Sequence, residues 1–380
     1  MRLLSVQYEN IEQEWKFDKI IIFDLTLLVG ISGVGKTQIL QSIYDLKRIA
    51  KGASPNGIKW EVEFQILSGK EYIWKGEFEN IKDKDDFLIN IADSENENAK
   101  PKIIFEELLD KNNNELIIKR NTDSFIFNDK EMPKLTSNES ALNILKEEDL
   151  IKDIYNGFKL IIPRDHTQKE GVRYSNLSVK KLKEKFDTFE KIKDSDLDTF
   201  HKLALIYDIS KSTFDDIKNR FIEVFPQIED IKIEPIQDHE FSNFIFEATV
   251  IQIKEKGVNK WIPHNRMSSG MLRTLLHIAE MYLWNTGTVV LIDEFENSLG
   301  LNCIDVLTED IMYDNDNIQF IATSHHPYII NKIPYDYWKI VTRKGGQIKT
   351  FDAKDFDFGK SHHDRFMNLI NHPLFKQGIS

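Results

Sequence analysis

Eight residues between an apolar run and a helix-like run constrain this chain more than any other feature. Residues 30–37, GISGVGKT, match the pattern G-x-x-x-x-G-K-[ST], with an apolar run at 25–29 and a helix-like run at 38–44. Glycines let such a loop turn so that its backbone N–H groups face an anion, and the helix that follows adds the positive end of its dipole. We therefore predict a loop that binds the phosphates of ATP or GTP.

The pattern also assigns roles within the loop. Lys36 is placed to reach the β- and γ-phosphates, and the hydroxyl of Thr37 to ligate Mg²⁺. The predicted nucleotide-binding residues are Gly30, Ser32, Gly33, Val34, Gly35, Lys36, Thr37 and Gln38.

A second apolar run ends in two adjacent acids. Residues Thr288 to Ile292 are typical of a strand buried on both faces of a parallel sheet, and Asp293 and Glu294 follow directly. Ligands bind at the carboxyl ends of such strands. We predict that Asp293 holds Mg²⁺ and that Glu294 orients and deprotonates the attacking water, since hydrolysis needs both a metal and a base near the γ-phosphate.

Two further segments complete the pattern. Residues 267–271, MSSGM, open a run with helical periodicity in which a serine would ordinarily serve as the N-cap. Residues 319–325, QFIATSH, are typical of a buried strand that ends in a histidine, His325.

In this order and spacing the segments resemble the ABC-type ATPase heads of the SMC and RecF families. The resemblance extends to the compact AAA ATPases of bacterial phage-defence systems such as OLD-like, Septu and PARIS. It covers about the first 45 residues and the stretch from about Trp261 to Ile348. It implies an α/β fold, a P-loop NTPase of ABC type, with a mainly parallel core sheet, an antiparallel β-subdomain and a short helical insertion.

The resemblance also implies further site residues. Ser268, Ser269 and Gly270 form the signature, which contacts ATP bound by a second subunit. His325 contacts the γ-phosphate, residues 296–300 form the D-loop, and Gln168 is the candidate Q-loop glutamine. Ser269 stands where the family usually has Gly, and Met271 where it usually has Gln or Glu, so we expect slow or conditional ATP turnover.

Composition limits the cellular context. The single cysteine, Cys303, excludes an internal disulfide and any site built on several cysteines. No apolar run approaches the roughly 20 residues that span a bilayer, so we expect a cytoplasmic protein without membrane contact. The net charge of −12 does not suggest a general nucleic-acid coat. The densest basic run, residues 180–185, is predicted to be a solvated helix face with phosphate contact as the alternative.

The chain is predicted to have four parts. These are an N-terminal ATPase lobe with the P-loop and β-subdomain at 1–165, a helical insertion at 166–228, a C-terminal ATPase lobe at 229–355 and a tail at 356–380. Hairpins are predicted around residues 68–70 and 121–123, and single helices over 139–158, 179–192 and 197–225. The tail carries Phe366, Leu369 and Ile370 on one helical face and is expected to pack on its own head.

The motifs predict an ATPase with ATP and Mg²⁺ as cofactors, and the resemblance implies that it works as a homodimer or higher oligomer closed around ATP. We expect it to control a separate effector, a nuclease or toxin, in anti-phage defence. The first alternative is a RecF-like DNA repair ATPase that binds duplex DNA. A GTPase or small-molecule kinase and a non-hydrolysing ATP-sensing scaffold are the others; the chain lacks an Asn-Lys-x-Asp guanine-reading run.

Overall fold

The computed structural model describes residues 1–81, 100–133, 135–164, 174–195, 197–238, 246–296, 308–309, 312, 317–356, 358 and 362–378. Gln168, residues 297–300 of the predicted D-loop and Cys303 lie outside the described residues. The chain divides into two compact units. The first comprises Met1–Asp165, Thr286–Phe295 and Asp314–Ser380, and the second comprises His166–Asn285 and Glu296–Tyr313. The four-part division predicted above stays a prediction.

Strands dominate the first third of the chain and helices the middle. The strands are β1 (Arg2–Asn10), β2 (Trp15–Ile21), β3 (Leu25–Val29), β4 (Ile58–Gln65), β5 (Glu71–Phe78), β6 (Ile103–Asp110), β7 (Glu115–Asn121), β8 (Phe125–Phe127), β9 (Lys130–Glu131), β10 (Ile161–Arg164), β11 (Tyr174–Ser175), β12 (Ile228–Asp238), β13 (Phe246–Glu255), β14 (Trp261–Pro263), β15 (Val289–Ile292), β16 (Gln319–Thr323), β17 (Trp338–Lys344) and β18 (Gln347–Asp352). The helices are α1 (Lys36–Ala50), α2 (Ala141–Ile144), α3 (Asp149–Lys159), α4 (Asn176–Lys185), α5 (Phe189–Lys193), α6 (Thr199–Ile209), α7 (Lys211–Val224), α8 (Ser269–Leu283), α9 (Pro327–Lys332), α10 (His362–Asn371) and α11 (Pro373–Gln377).

One large sheet forms the first unit, in the order β10-β15-β16-β3-β17-β18-β2-β1-β4-β5-β6-β7-β8-β9. Neighbouring strands run parallel from β10 to β17. Every residue of β3, β15 and β16 is buried, as expected for strands covered on both faces. The carboxyl ends of these three strands meet at one edge of the sheet, where the P-loop, the acidic pair and His325 follow them.

The rest of the sheet is antiparallel beyond β2, and it contains both predicted hairpins, β4–β5 and β7–β8. Alternate residues of β4 and β5 are buried, which gives one core face and one solvent face. The core is aromatic: Trp74 packs edge-on against Trp60 and Phe158 at ring-centroid distances of 5.1 and 5.0 Å. Edge-to-face packing is the favourable geometry for such rings.

A buried glutamine joins the first strand of the chain to the parallel sheet. Gln319, at the start of β16, is 2% exposed. Its side-chain amide donates to the carbonyl oxygens of Leu3 and Phe23, and its oxygen accepts from the N–H of Leu3. All three bonds measure 2.8 to 2.9 Å, so backbone groups satisfy this buried polar side chain.

The second unit combines a small sheet with helices. Strands β12 and β13 pair antiparallel over most of their length, with β11 and β14 also paired to β13. Helices α6, α7 and α8 pack against one another. Phe214 and Phe221 of α7 are fully buried. Thr199 of α6 donates to Glu280 of α8 over 2.9 Å.

The predicted single helices are wrong in their continuity. The segment 139–158 forms two helices, α2 and α3, because Leu145 to Glu148 make a turn instead. Ser140 caps the first of them by accepting from the N–H of Leu142. The segment 197–225 likewise breaks at Ser210, which ends α6 and begins α7. The segment 179–192 is divided as well, since α4 ends at Lys185 and α5 begins at Phe189. No glycine or proline marks any of these breaks, so the helical periodicity of the apolar residues continues across them.

The C-terminal helices pack on the first unit, as expected from the apolar face of the tail. Leu369 is fully buried, and Phe366 and Ile370 are half-buried. The imidazole of His372 packs edge-on against the rings of Phe356 and Phe358 at 5.0 and 5.7 Å. These contacts hold the start of α11 against the residues that follow β18.

Candidate nucleotide-binding site

The predicted phosphate loop lies between β3 and α1. Gly35 is the N-cap of α1 and has a φ of +101°, a backbone conformation that favours glycine. A Cβ at this position would also clash with the side chain of Ile348. The loop therefore depends on glycine here for both its turn and its packing.

Lys36 is the first residue of α1 and lies close over the loop. Its side chain is 6% exposed, and its ammonium donates to the carbonyl oxygens of Gly30 and Ile31, each over 2.8 Å. A cation held in this position sits beside the N-terminal end of a 15-residue helix. Both features favour an anion at the loop.

Thr37 and Asp293 come together although they lie far apart in sequence. The Thr37 hydroxyl donates to Oδ2 of Asp293 over 2.8 Å. The other carboxylate oxygen of Asp293 accepts from the Thr323 hydroxyl over 2.6 Å. A hydroxyl and a carboxylate are oxygen ligands of the kind that Mg²⁺ prefers.

This donor set fits a magnesium ion bound together with a nucleotide. Among the described residues no group of three or more His, Cys, Asp or Glu could hold a metal. A P-loop magnesium site does not need one, because the phosphates and water supply the remaining ligands. Thr37 and Asp293 are the residues of this chain that would hold the ion.

Glu294 follows Asp293 in an unusual backbone conformation. Its φ is +49°, and its N–H donates to the Thr323 hydroxyl over 2.8 Å. Its side chain is exposed, whereas the next residue, Phe295, is buried and donates its N–H to the Thr323 carbonyl. The strand thus turns sharply at Glu294 and presents the carboxylate outward beside the Thr37–Asp293 pair.

Two histidines follow β16, and they have different surroundings. His326 is the N-cap of α9, where its Nδ1 accepts from the N–H of Tyr328 over 3.2 Å. His325 has an exposed side chain directly beyond Ser324. Because β16 pairs with β15, His325 and the acidic pair follow neighbouring strands of the same sheet.

The predicted signature residues belong to the second unit. Ser268 is the N-cap of α8, and its hydroxyl accepts from the N–H of Met271 over 3.2 Å. Ser268 and Ser269 are exposed, and the carbonyl of Gly270 accepts from Thr274. The capping role expected from the sequence is therefore present, and the N-terminus of a 15-residue helix lies at the surface of this unit.

Two residues of the site were not predicted from the sequence. Thr323 hydrogen-bonds both acidic residues, and Arg343 donates to Oε1 of Gln38 over 2.6 Å. The sequence does carry one indication for Thr323, because this hydroxyl residue ends the strand that lies beside the acidic strand. Arg343 had none, because only the fold brings β17 next to α1.

No helix in the described ranges is both long and apolar enough to cross a membrane.

Fold and site together define a class. A strand, phosphate loop and helix, with an acidic pair at the end of a parallel strand two positions away in the sheet, is the arrangement of a P-loop NTPase. Residues 25–331 match the family described as "AAA domain, putative AbiEii toxin, Type IV TA system", and the chain belongs to this family. It is therefore a P-loop ATPase of the AAA type, and such proteins bind nucleotide, usually with Mg²⁺.

Solved structures of SMC heads are similar to this chain over most of their length. A SmcHead bound to the C-winged helix domain of ScpA has 11% identity and a TM-score of 0.47, covering 92% of this chain and 97% of that one. The SMC head domain from Thermotoga maritima has 13% identity and a TM-score of 0.41, covering 93% and 99%. An Smc head domain with an extended coiled coil, bound to the C-terminal domain of ScpA and derived from Pyrococcus furiosus, has 12% identity and a TM-score of 0.44, covering 92% and 96%. No curated protein matches the chain in sequence.

Proposed function

We propose that this chain binds ATP with Mg²⁺ at the phosphate loop and hydrolyses it at the edge of the parallel sheet. The hydrogen bond between Thr37 and Asp293, 2.8 Å long, carries this proposal. It joins the hydroxyl that ends the phosphate loop to the carboxylate that ends the acidic strand, and these are the two protein ligands of magnesium in P-loop ATPases.

Each residue then has a separate task. Lys36 binds the β- and γ-phosphates, and Thr37 and Asp293 hold the metal ion. When bound, Mg²⁺ supplies positive charge that neutralises the phosphate oxygens. Glu294 accepts a proton from the attacking water and orients it, and His325 contacts the γ-phosphate from the neighbouring strand. Gln168 remains the proposed Q-loop residue.

The signature suggests a dimer closed around ATP. Ser268 and Ser269 are exposed at the N-terminus of α8, where backbone N–H groups and the helix dipole favour an anion. In the proposed dimer this helix end, with Gly270, contacts the γ-phosphate held by the P-loop of a second copy. ATP then stabilises the closed dimer and hydrolysis weakens it, because the differential contacts are with the γ-phosphate.

The output that we propose is control of a separate effector in the cytoplasm, a nuclease or toxin of an anti-phage defence system. The family description, which names a toxin and a toxin–antitoxin system, supports a role of this kind. In this proposal ATP changes the dimer between an open and a closed state, and the effector binds the two states differently.

Magnesium-dependent ATP hydrolysis by the purified chain tests the catalytic part of the proposal. Asp293→Asn should abolish most of this activity, since an amide is a poorer magnesium ligand than a carboxylate. Asp24→Asn is the matched control, because Asp24 is an exposed acid paired only through its salt bridge to Arg2 in the described contacts. Equal activity of Asp293→Asn and the wild type would refute the assignment.

A further inference from the structure

The end of helix α11 lies directly on the phosphate loop. Gly378 ends this helix with a φ of +60°, the left-handed conformation common at helix C-termini. A Cβ on Gly378 would lie 2.6 Å from Cδ1 of Ile31 and 2.9 Å from Cγ1 of Val34. Both residues belong to the loop, so the segment Pro373–Gly378 is in close contact with it and leaves no room for a side chain.

Arg343 links the same segment to the first turn of α1. Its backbone N–H donates to the carbonyl of Gly378 over 2.7 Å. Its guanidinium donates to Oε1 of Gln38 over 2.6 Å and to the carbonyl of Gly345 over 2.8 Å. Through its backbone N–H and two guanidinium N–H groups, Arg343 therefore connects the end of α11, the β17–β18 turn and Gln38 of α1.

The segment is itself anchored away from the loop. The ring of His372, which caps α11 by accepting from the N–H of Leu374, packs against Phe356 and Phe358. Contacts on one side hold the segment to the sheet, and contacts on the other side hold the phosphate loop. The phosphate loop and the first turn of α1 therefore contact residues that lie more than 300 positions later in the chain.

We propose that Arg343 is a positioning residue for the phosphate loop, and that the segment Pro373–Gly378 is the support through which it acts. This rests on the proposed function, in which the N–H groups of the loop and of the first turn of α1 bind phosphate. A loop held in its binding conformation before ATP arrives loses less freedom on binding. By reciprocity, nucleotide must also strengthen the docking of this segment.

The sharpest test places a methyl group at the contact. Gly378→Ala should displace the loop and raise the Kd for a fluorescent, slowly hydrolysed ATP analogue by about tenfold or more. This is the scale of losing one hydrogen bond from a loop N–H to a charged phosphate. The kcat at saturating ATP should change little, because the loop contacts ground state and transition state alike. Gly69→Ala is the matched control: its φ of +86° imposes a similar strain, but a Cβ there meets nothing within 4 Å.

A second substitution should rescue the first. Ile31→Ala removes the nearer of the two side chains that the new methyl group meets, so Ile31→Ala/Gly378→Ala should bind the analogue more tightly than Gly378→Ala alone. Arg343→Ala leaves Gly378 unchanged and should also weaken binding of the analogue. Arg343→Lys should bind the analogue with an affinity between those of Arg343→Ala and the wild type, since Lys lacks the guanidinium fork. Because both positions act on one link, the effects of Arg343→Ala and Gly378→Ala should not add.

The outcomes separate this inference from the proposed function. Failure of the wild-type chain to bind the analogue would refute ATP binding itself. Wild-type binding with equal Kd values for Gly378→Ala, Arg343→Ala and Gly69→Ala would overturn the support role alone. A loss of kcat without a change in Kd would overturn it as well.

Discussion

The hydroxyl of Thr323 donates to the carboxylate of Asp293 over 2.6 Å, across two neighbouring parallel strands. The same hydroxyl accepts from the backbone N–H of Glu294, whose φ of +49° is rare for a residue with a side chain. One side chain at the end of β16 therefore orients both acids at the end of β15. Unusual backbone conformations of this kind persist where their surroundings fix them, and they are concentrated at functional sites.

Thr323→Val keeps the shape of this side chain but removes both hydrogen bonds. We expect ATP hydrolysis to fall by about 10- to 100-fold, the usual effect of losing a residue that orients a metal ligand. The Kd for ATP should change much less, since Lys36 and the loop remain. Steady-state kinetics together with analogue binding measure the two effects, and Thr323→Ser should restore most of the activity.

Thr342→Val provides the control for that substitution. Thr342 is fully buried on β17 of the same sheet, and its hydroxyl has no hydrogen-bond partner in the part of the chain that the structure describes. Removing an unpaired buried hydroxyl should leave ATP turnover unchanged and raise stability by about 1 kcal/mol. If both valine variants lose activity equally, the effect belongs to packing of the sheet and not to orientation of the acids.

The site illustrates what sequence can and cannot predict. Phosphate loop, acidic pair and histidine each follow a buried strand, so their meeting at one sheet edge follows from the rule for parallel strands. Arg343 acts through contacts between distant segments, for which a single sequence has no local pattern. Thr323 ends a buried strand, but the sequence does not show which groups its hydroxyl meets. Strand β6 was not predicted from the sequence either. Its Glu106 is fully buried and accepts from Trp74 and from the N–H of Ala141, so an acidic residue occupies a core position.

Glu294→Gln should preserve ATP and Mg²⁺ binding but slow hydrolysis by about 10²–10⁴-fold, because the amide keeps the shape and cannot accept the proton. The same variant should accumulate the ATP-bound dimer, which size-exclusion chromatography with light scattering detects. Wild-type turnover by Glu294→Gln would show that another group is the base. A monomer at saturating ATP would argue against closure around the nucleotide.

Mixing two inactive variants tests whether each ATP is shared between subunits. Lys36→Ala removes the loop cation and should lose most nucleotide affinity. Ser268→Arg should leave ATP binding by the isolated subunit nearly intact and block closure. In a heterodimer one composite site pairs a wild-type loop with a wild-type signature, so partial ATPase recovery is expected. Heterodimers that form without any recovery would contradict the shared site.

That experiment needs a control because Ser268 also caps α8. Loss of an N-cap costs about 1 kcal/mol, so Ser268→Arg should lower stability somewhat in addition to blocking closure. Thr188→Arg removes an exposed N-cap from α5 in the same unit and matches the change in side chain. We expect comparable melting temperatures for the two variants, with ATPase activity lost only in Ser268→Arg. Loss in both would trace the effect to the second unit's stability.

The remaining prediction separates control of an effector protein from the clamping of duplex DNA. The chain carries a net charge of −12, and its densest basic run is partly engaged: Lys183 pairs with Asp208, and Lys185 lies 5.0 Å from the ring of Phe186. We therefore expect binding to a short duplex no tighter than about 10⁻⁵ M at physiological salt, in the range of nonspecific contacts. Fluorescence anisotropy at several salt concentrations measures this, with Glu294→Gln and ATP added to populate the closed state. The double variant Lys180→Glu/Lys181→Glu should bind as weakly as the wild type. Nanomolar binding that this variant abolishes, with a steep salt dependence, would favour a DNA-repair ATPase instead.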